Sequence, residues 1–357
     1  MSKVLCVITG MGSGGAERQL VGLAKMLMDY GHEVEVVWYS KLDFYKSQLV
    51  EYGIPYKELY ANGIVAKIVN IAQEVKRYKP DTVISFLTGP NTITPLLKMV
   101  GFRYHLIVSD RNTLQCLNLK YKLCFFLFKW ADVIVPNSYS ESKFISTHYP
   151  QLSKKLRVIT NFTNTDYFCP RTEVKLPKNV TEFIIVARVD EQKNVKRFLK
   201  AVALLKERNA HVKFRWFGNS FKAEYRDECI QMINDLKVAD YISIHPSTKQ
   251  ILKEYQSADA FCLPSLYEGF PNVVCEAMSC GLPVLCSNVC DNPNIVENGV
   301  NGYLFDPNNE IDIADTIEKF MKDMLPKADK IAKLNRDKIQ HLCSPKAFVQ
   351  KYLDIIK

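Results

Sequence analysis

Short apolar runs alternate with amphipathic helical segments along the whole chain. The runs that predict buried strands fall at residues 4–9, 34–39, 82–86, 105–109 and 133–136, and then at 183–187, 213–217, 242–245, 260–263, 283–286 and 302–305. A helical segment lies between most of them. Buried strands that alternate with helices are typical of parallel sheets covered by helices on both faces. The pattern therefore predicts an α/β architecture.

The alternation divides into two halves at a polar, turn-rich stretch, residues 160–166. A chain of 357 residues is long enough for two domains. We predict two doubly wound, Rossmann-like domains, one over residues 1–165 and one over 166–340, followed by a terminal helical segment over 341–357.

The composition indicates substantial hydrophobic cores without a membrane-spanning segment. Hydrophobic residues make up 47% of the chain, yet no window approaches the roughly 20 apolar residues that a membrane span requires. Residues 1–8 are typical of a strand rather than a signal peptide, which predicts a cytoplasmic protein. The 11 cysteines are scattered and include no CxxC pair, which favours buried free thiols over disulfides or a zinc site.

The net charge of +9 is concentrated in the first half of the chain, where residues 1–165 hold 20 Lys and Arg against 12 Asp and Glu. Such a basic half is typical of proteins that meet nucleic acid, an anionic membrane surface or an anionic substrate. Because the sequence contains no nucleic-acid-binding motif, we expect no nucleic acid partner.

Two carboxylates, Glu268 and Glu276, bracket a Gly-Phe-Pro loop between a predicted strand and a predicted helix. A loop at the carboxyl end of a parallel strand is where open α/β sheets bind ligands. The helix that follows offers backbone N–H groups and the positive end of its dipole to an anion. The pair therefore predicts a ligand that has both hydroxyl groups and phosphates.

In each half of the chain, one further segment of interest follows the first predicted strand. Residues 187–194 place Arg188 and Lys193 at a strand end before a helix, and two such cations suit a diphosphate. Residues 10–18 are glycine-rich, which allows the backbone to approach a phosphate closely. Their spacing is not G-x-G-x-x-G and no acidic ribose partner follows at the expected distance, which disfavours a dinucleotide site.

These segments resemble the retaining enzymes of glycosyltransferase family 4, and the resemblance covers most of the chain. Residues 268–284 resemble the family's E-x7-E signature, residues 188–194 its Arg…Lys-Asn motif, and residues 14–18 its N-terminal glycine loop. The resemblance implies the GT-B fold, in which two Rossmann-like domains face each other across a cleft. Residues 1–165 would then bind the acceptor, residues 166–340 the nucleotide sugar, and the terminal helix would pack back on the first domain.

The resemblance also implies roles for individual residues. Arg188 and Lys193 would neutralise the leaving nucleoside diphosphate without a metal ion, and the sequence has no Asp-x-Asp metal motif. Glu268 would hold hydroxyl groups of the donor sugar and Glu276 those of the ribose. The implied catalytic residues are Arg188, Lys193 and Glu268. The implied nucleotide-sugar contacts are Gly14, Gly15, Arg188, Lys193, Glu268, Gly269, Phe270, Pro271, Asn272, Val273 and Glu276.

Acceptor contacts are expected at two predicted strand ends of the first half. The expected residues are Ser85, Asp110, Arg111 and Asn112. Residues 109–112 resemble the Ser-Glu-x-Asn segment of relatives that extend lipid-linked or capsular glycans. Many relatives carry a histidine nearby that contacts the donor sugar, and here Asp110 or Arg111 takes that place.

The basic, aromatic segment 119–130 allows two interpretations. Leu119, Leu123, Phe126 and Trp130 form one stripe at helical spacing, and Phe125 and Phe128 extend the apolar arc beyond it. Such a stripe either packs into the core or lies in the inner leaflet's surface, where it would bring the enzyme to a lipid-linked acceptor. The second interpretation predicts a peripheral protein on the cytoplasmic face of the membrane.

The sequence therefore predicts a retaining transferase that moves a hexose or N-acetylhexosamine from a nucleotide sugar, expected to be UDP-linked, to a glycan acceptor. We expect the acceptor to be a polyprenyl-diphosphate-linked glycan in the synthesis of a surface polysaccharide such as capsule or lipopolysaccharide. Two alternatives remain: a nucleotide-sugar epimerase of the same architecture, which would need no acceptor, and a non-catalytic glycan-binding subunit.

Overall fold

The computed structural model describes residues 1–111, 119–172 and 179–357, which group into two compact units. Unit 1 comprises Met1–Phe162 together with Pro345–Lys357, and unit 2 comprises Thr163–Ser344. The boundaries expected from the sequence lie at 165 and 340, beside 162 and 344 in the structure.

The strands and helices of the described residues follow the alternation of the sequence. The strands are β1 (Lys3–Ile8), β2 (Glu33–Trp38), β3 (Tyr56–Glu58), β4 (Thr82–Phe86), β5 (His105–Asp110), β6 (Val133–Pro136), β7 (Thr181–Val186), β8 (Val212–Phe217), β9 (Ile242–His245), β10 (Ala260–Leu263), β11 (Val284–Ser287) and β12 (Gly302–Phe305). The α-helices are α1 (Gly15–Asp29), α2 (Lys46–Glu51), α3 (Ile64–Tyr78), α4 (Thr88–Met99), α5 (Leu119–Leu127), α6 (Tyr139–His148), α7 (Val195–Glu207), α8 (Ala223–Asp235), α9 (Ile251–Ser257), α10 (Asn272–Ser279), α11 (Asn292–Ile295), α12 (Glu310–Asp323), α13 (Ala328–Cys343) and α14 (Pro345–Leu353). Short 3₁₀ turns occupy Phe128–Trp130, Pro150–Lys155, Glu191–Lys193 and Leu325–Lys327.

Each unit is built on one six-stranded parallel sheet, in the order β3-β2-β1-β4-β5-β6 in unit 1 and β12-β11-β10-β7-β8-β9 in unit 2. Every predicted strand is present to within two residues, and the predicted pair of doubly wound α/β domains is confirmed. The sequence misses β3, because this edge strand of three residues, Tyr-Lys-Glu, contains no apolar run.

The central strands of unit 1 are buried on both faces, which explains their unbroken apolar runs. Cys6 and Ile8 of β1 belong to a core cluster that includes residues of α1 and α14. Leu5 and Val7, which point to the opposite face, belong to a cluster with residues of α3 and α4. The sheet is therefore covered by helices on both sides.

The terminal helix α14 packs against α1 within unit 1. Phe348 of α14 is buried, and its ring centroid lies 5.1 Å from that of Phe162. Gly22 of α1 leaves room for the same ring, because a Cβ there would come within 2.3 Å of Phe162 Cζ. The helix thus completes the core of unit 1 beside the last residues that precede unit 2.

In α5 the stripe singled out by helical spacing is not the buried face. Leu123 and Phe126 are 53% and 49% exposed, whereas Phe125 and Phe128 are buried. Phe125 packs against Phe128 and Tyr149, which turns this side of the short helix towards the core. Among the described residues, no helix combines the length and the apolar character that crossing a membrane requires.

Candidate active site

The loops that follow β7, β8, β9 and β10 surround a cavity of about 450 Å³ at the carboxyl edge of the unit 2 sheet. This edge is where open parallel sheets bind ligands, because the helix N-termini and flexible loops meet there. The cavity is lined by Val186, Ala187, Arg188, Lys193, Phe217, Gly218, Asn219, Phe221, Ser247, Glu268, Phe270, Pro271, Asn272 and Val273.

A second cavity of about 430 Å³ lies at the opposite edge of the same sheet. Thr181 at the start of β7 and Asp259 just before β10 belong to its lining. It contains none of the predicted site residues and faces away from the carboxyl ends of the strands. Its position therefore makes it the weaker candidate for a substrate site.

Lys193 is held in a fixed place on the cavity wall. It ends the 3₁₀ turn Glu191–Lys193, which Asp190 caps, with Lys193 N donating to Asp190 Oδ1 at 3.1 Å. The next residue, Asn194, adopts a left-handed conformation with φ of 61°, and its side chain donates to Pro307 O at 2.7 Å. The turn then passes directly into α7, so the lysine has a rigid support.

The ammonium group of Lys193 forms an ion pair with Glu268. Lys193 Nζ donates to Glu268 Oε1 at 2.5 Å, and the two side chains are only 12% and 10% exposed. A charge-assisted hydrogen bond of this length in a partly dry cavity is strong, although desolvation of both groups offsets much of its contribution to stability. The pair places a cation and an acceptor of hydrogen bonds at the same point of the wall.

Arg188 supplies a second cation at the mouth of the cavity. Its side chain is 46% exposed, and Nε lies 3.2 Å from Asp190 Oδ2. The guanidinium group also donates to Gln192 Oε1 at 3.0 Å and lies 5.1 Å from the ring centroid of Phe221. These contacts are exposed to water and therefore weak, so the guanidinium group can exchange its partners readily.

The loop that carries Glu268 is tied to the loop after β7. Leu266 N donates to Gln192 O at 2.8 Å, and the Gln192 side chain donates to Tyr267 O at 2.9 Å. Glu268 N donates to the sulfur of Cys290 at 3.4 Å. Burial raises the pKa of the Cys290 thiol, which keeps it neutral beside the carboxylate. These contacts hold Glu268 opposite Lys193.

The segment that leads into α10 also lines this cavity, through Phe270 and Pro271 before the helix and Asn272 and Val273 in its first turn. The helix begins at Asn272, directly after Pro271. The N-terminal end of a helix carries a partial positive charge, which adds to the charge of the two cations.

Two predicted contacts, Gly269 and Glu276, are not among the described residues that line the cavity. Glu276 lies one turn further along α10, and its carboxylate accepts a hydrogen bond from the hydroxyl of Tyr255 at 3.2 Å. Tyr255 is wholly buried and Glu276 is 6% exposed. The structure thus brings Arg188, Lys193 and Glu268 together at one cavity, whose lining does not include Glu276.

The predicted acceptor-side residues lie in unit 1, where two of them are engaged in structural contacts. Ser85 is fully buried and donates to Asn91 Oδ1 at 2.7 Å. Arg111 donates to the side chain of Asn161 and, at 2.8 Å, to the hydroxyl of Tyr352 in α14. Asn112 lies outside the described residues.

The two predicted glycines also lie in unit 1. Gly14 precedes α1 in an extended conformation, and Gly15 is the first residue of that helix. A Cβ at Gly14 would come within 2.3 Å of the Glu17 carboxylate, whose flexible side chain would have to move.

Asp110 forms part of a buried acidic pair that the sequence analysis missed. It ends β5, and Glu141 occupies the first turn of the neighbouring α6, where Glu141 N donates to the capping Ser138 Oγ at 3.1 Å. Burial, followed by the negative charge of Asp110, holds the pKa of Glu141 well above its usual range. The pair therefore favours a protonated Glu141. The Ser-x-x-Glu spacing of a capping box is the sequence signal that points to this residue.

The sequence analysis did not predict Gly218, Asn219 and Phe221, which line the cavity from the loop after β8. The sequence signal for this loop is Gly218, a glycine that directly follows a predicted strand. A Cβ at Gly218 would lie 1.9 Å from Ala187 O, so only glycine allows the two loops to approach so closely. Asn219 then joins the loop after β9, donating to Ser247 Oγ at 2.8 Å.

Comparisons with known proteins cover nearly the whole chain. Residues 13–167 match the family model described as Glycosyltransferase Family 4. Residues 171–338 match the model described as Glycosyl transferases group 1. Each half of the chain thus matches a glycosyltransferase family model, in agreement with the family expected from the sequence.

Two similar curated proteins are from Campylobacter jejuni. One is the GalNAc-α-(1→4)-GalNAc-α-(1→3)-diNAcBac-PP-undecaprenol α-1,4-N-acetyl-D-galactosaminyltransferase, which is 26% identical over 341 residues, or 90% of each chain. The other is the N-acetylgalactosamine-N,N'-diacetylbacillosaminyl-diphospho-undecaprenol 4-α-N-acetylgalactosaminyltransferase, which is 23% identical over 310 residues, or 81% of each chain.

Solved structures share the fold over almost the full length. A glycosyltransferase from Rickettsia africae has a TM-score of 0.86 at 20% identity, covering 99% of this chain and 97% of that one. HepE from Anabaena, crystallised with UDP, has a TM-score of 0.85 at 19% identity, covering 99% and 98%. At these identities the likeness establishes the fold.

The ion pair at the cavity generates a testable prediction. Replacing Glu268 by Leu leaves the Lys193 charge unpaired, so we expect the free energy of unfolding to fall by roughly 3–5 kcal/mol. The double variant Lys193→Met, Glu268→Leu should recover most of this loss, because both charges are then removed. Chemical denaturation followed by circular dichroism measures the difference.

The matched control is the exposed pair between Lys196 and Glu228, whose side chains are 45% and 59% exposed. Glu228→Leu should leave the denaturation curve unchanged, since exposed pairs contribute little. A Glu268→Leu variant as stable as the wild type would contradict the buried pair.

Proposed function

Because the chain belongs to glycosyltransferase family 4 and has the GT-B fold, we propose that it is a retaining enzyme that transfers a hexose or N-acetylhexosamine from a UDP-linked sugar to a glycan acceptor. The observation that carries the proposal is the placement of Arg188 and the Lys193–Glu268 pair on one cavity at the carboxyl edge of the unit 2 sheet.

The charges of the cavity support a nucleoside diphosphate sugar as donor. Two cations and a helix N-terminus suit the diphosphate, and the carboxylate of Glu268 suits sugar hydroxyl groups. The binding of UDP by HepE, which has the same fold, supports UDP as the nucleotide. Glu276 is the candidate for the ribose hydroxyl groups, because its carboxylate has acceptor sites beyond the bond with Tyr255.

In the proposed reaction, binding of the diphosphate draws Lys193 from Glu268 to a phosphate oxygen. Glu268 then accepts hydrogen bonds from hydroxyl groups of the donor sugar. The bond between the anomeric carbon and the diphosphate oxygen breaks, and Arg188 and Lys193 stabilise the negative charge that develops there. Such preorganised electrostatic stabilisation is usually the largest contribution to catalysis.

The acceptor hydroxyl attacks the anomeric carbon from the face that the diphosphate leaves, so the configuration is retained. Its proton passes to the departing phosphate oxygen, and no further general base is needed. Arg188 and Lys193 take the place of a metal ion in this proposal. Within the described residues, no three His, Cys, Asp or Glu side chains are placed to hold one.

We propose a polyprenyl-diphosphate-linked glycan as acceptor, in the synthesis of a surface polysaccharide on the cytoplasmic face of the membrane. The two Campylobacter jejuni relatives are named for undecaprenyl-diphosphate-linked substrates. The exposed face of α5 supports membrane contact, because Lys122 and Lys129 flank the exposed Leu123 and Phe126. A helix face of this kind suits the interface of an anionic lipid surface.

Loss of either cation should abolish most of the activity. Arg188→Ala and Lys193→Ala should each lower kcat by about 100- to 1,000-fold, the range for removal of one group that stabilises a developing charge. The measurement is release of nucleotide from UDP-glucose, UDP-galactose, their N-acetylated forms and GDP-mannose, with bacterial membrane extract as the source of acceptor.

The matched control is Lys200→Ala, which removes an exposed lysine from α7 and should leave kcat unchanged. Nuclear magnetic resonance of the product should show the anomeric configuration of the donor. Near-full activity of both cation variants, or an inverted product, would contradict the proposed mechanism.

Membrane contact through α5 is tested separately. The double substitution Leu123→Asp, Phe126→Asp should weaken binding to vesicles that contain anionic lipid by tenfold or more, since burial of even one such side chain contributes about 1.5–3 kcal/mol. Sedimentation with the vesicles measures the binding. Val50→Asp, at an exposed position of α2, is the control, and equal binding of the double variant and the control would exclude this surface.

A further inference from the structure

Phe221 is the most exposed large hydrophobic side chain of the described residues apart from Met1, with 84% of its surface accessible. Exposure of a phenylalanine to this extent is unfavourable, since burying the ring would contribute to stability. The ring stands at the wall of the cavity that holds Arg188, Lys193 and Glu268. The ring therefore stands where a ligand of this cavity would cover it.

The loop that carries Phe221 is well fixed at both ends. Gly218 N donates to His245 O at 3.0 Å, and the side chain of Asn219 makes two hydrogen bonds with Ser247, of 2.8 Å and 3.1 Å. After Phe221, Lys222 N donates to the hydroxyl of Ser220 at 3.2 Å. The ring thus projects from an ordered backbone, and its orientation is set by that backbone.

The surroundings of the ring combine apolar surface with positive charge. Val186, Phe217 and Phe270 line the same cavity, and the guanidinium of Arg188 lies 5.1 Å from the centroid of the Phe221 ring. A ligand that fits both features has a flat aromatic part beside an anionic part. A nucleotide has both, in the base and the diphosphate.

We propose that Phe221 is the platform on which the nucleobase of the donor stacks. This inference rests on the proposed function, because it takes a nucleotide sugar as the ligand. In the free protein Arg188 occupies one side of the ring, and binding of the nucleotide transfers Arg188 to the diphosphate and gives the ring a base to stack on. Every base has a π face, so stacking here supplies affinity and does not select the base.

The test compares UDP with inorganic pyrophosphate as calorimetric ligands of the full chain. Phe221→Ala should raise the Kd for UDP by about tenfold, within the range for loss of one base–aromatic contact. It should leave the Kd for pyrophosphate unchanged, because pyrophosphate has no base. Phe221→Tyr keeps an aromatic ring and should bind UDP as the wild type does.

Phe44→Ala, which removes a phenylalanine that is 64% exposed in unit 1, is the control and should not alter either Kd. In steady-state assays Phe221→Ala should raise KM for the donor at unchanged kcat, the behaviour of a contact made equally in the ground state and the transition state.

Two results would overturn the proposal. Unchanged UDP binding by Phe221→Ala would show that the ring does not touch the base, and an equal loss for UDP and pyrophosphate would show that the ring acts only through Arg188. Failure of the proposed function is distinguishable, since in that case the wild-type protein itself would bind neither UDP nor a UDP-sugar.

Discussion

The parallel pairing of β7 with β8 on one side and β10 on the other is the constraint on which the candidate site depends. Because all three strands run in the same direction, their following loops leave the sheet at one edge. The first loop brings Arg188 and Lys193, the second Phe221 and the third Glu268. Residues that are as many as 80 positions apart in the chain therefore line one cavity.

The approach of the loops depends on the residue that follows β8. The backbone of Gly218 comes so close to Ala187 O that any side chain would collide with it. The loops are then joined by backbone hydrogen bonds, with Val189 N donating to Asn219 O at 3.0 Å and Leu266 N to Gln192 O at 2.8 Å. A rigid scaffold of this kind positions charged groups without a cost of reorganisation during the reaction.

The ion pair of Lys193 and Glu268 places a cation and a hydrogen-bond acceptor at one point of the cavity wall. Desolvation makes a nearly buried ion pair a poor source of stability, which supports a role in binding a ligand. In the proposed reaction an incoming diphosphate offers Lys193 a partner of higher charge, and the same exchange frees Glu268 to accept hydrogen bonds from a sugar. Arg188, which is held only by exposed contacts, can follow it.

Much of the fold could be predicted from the sequence, because strands buried on both faces leave unbroken apolar runs such as residues 4–9 and 260–263. The three-residue edge strand β3 leaves no such run and was missed. In α5 the helical spacing selected Leu123 and Phe126, but the core contacts are made by Phe125 and Phe128. A nine-residue helix with apolar residues on several sides does not by itself reveal which side is buried.

The sequence predicted Arg188, Lys193 and Glu268 from motifs that each lie within one segment, and the structure places all three on one cavity. The bond between Tyr255 and Glu276 and the burial of Glu141 beside Asp110 depend on segments that are distant in sequence. The role proposed for Phe221 depends on its exposure, which no local pattern specifies. These contacts arise from the tertiary structure, and no single segment of the sequence specifies them.

The proposed mechanism requires Lys193 to exchange Glu268 for the donor diphosphate, and a crystal structure of the protein with UDP would show this exchange. We expect Lys193 Nζ to lie about 2.7–2.9 Å from a phosphate oxygen and no longer to contact Glu268. A complex in which UDP occupies the cavity while the Lys193–Glu268 pair stays intact, or in which UDP binds elsewhere, would rule the exchange out.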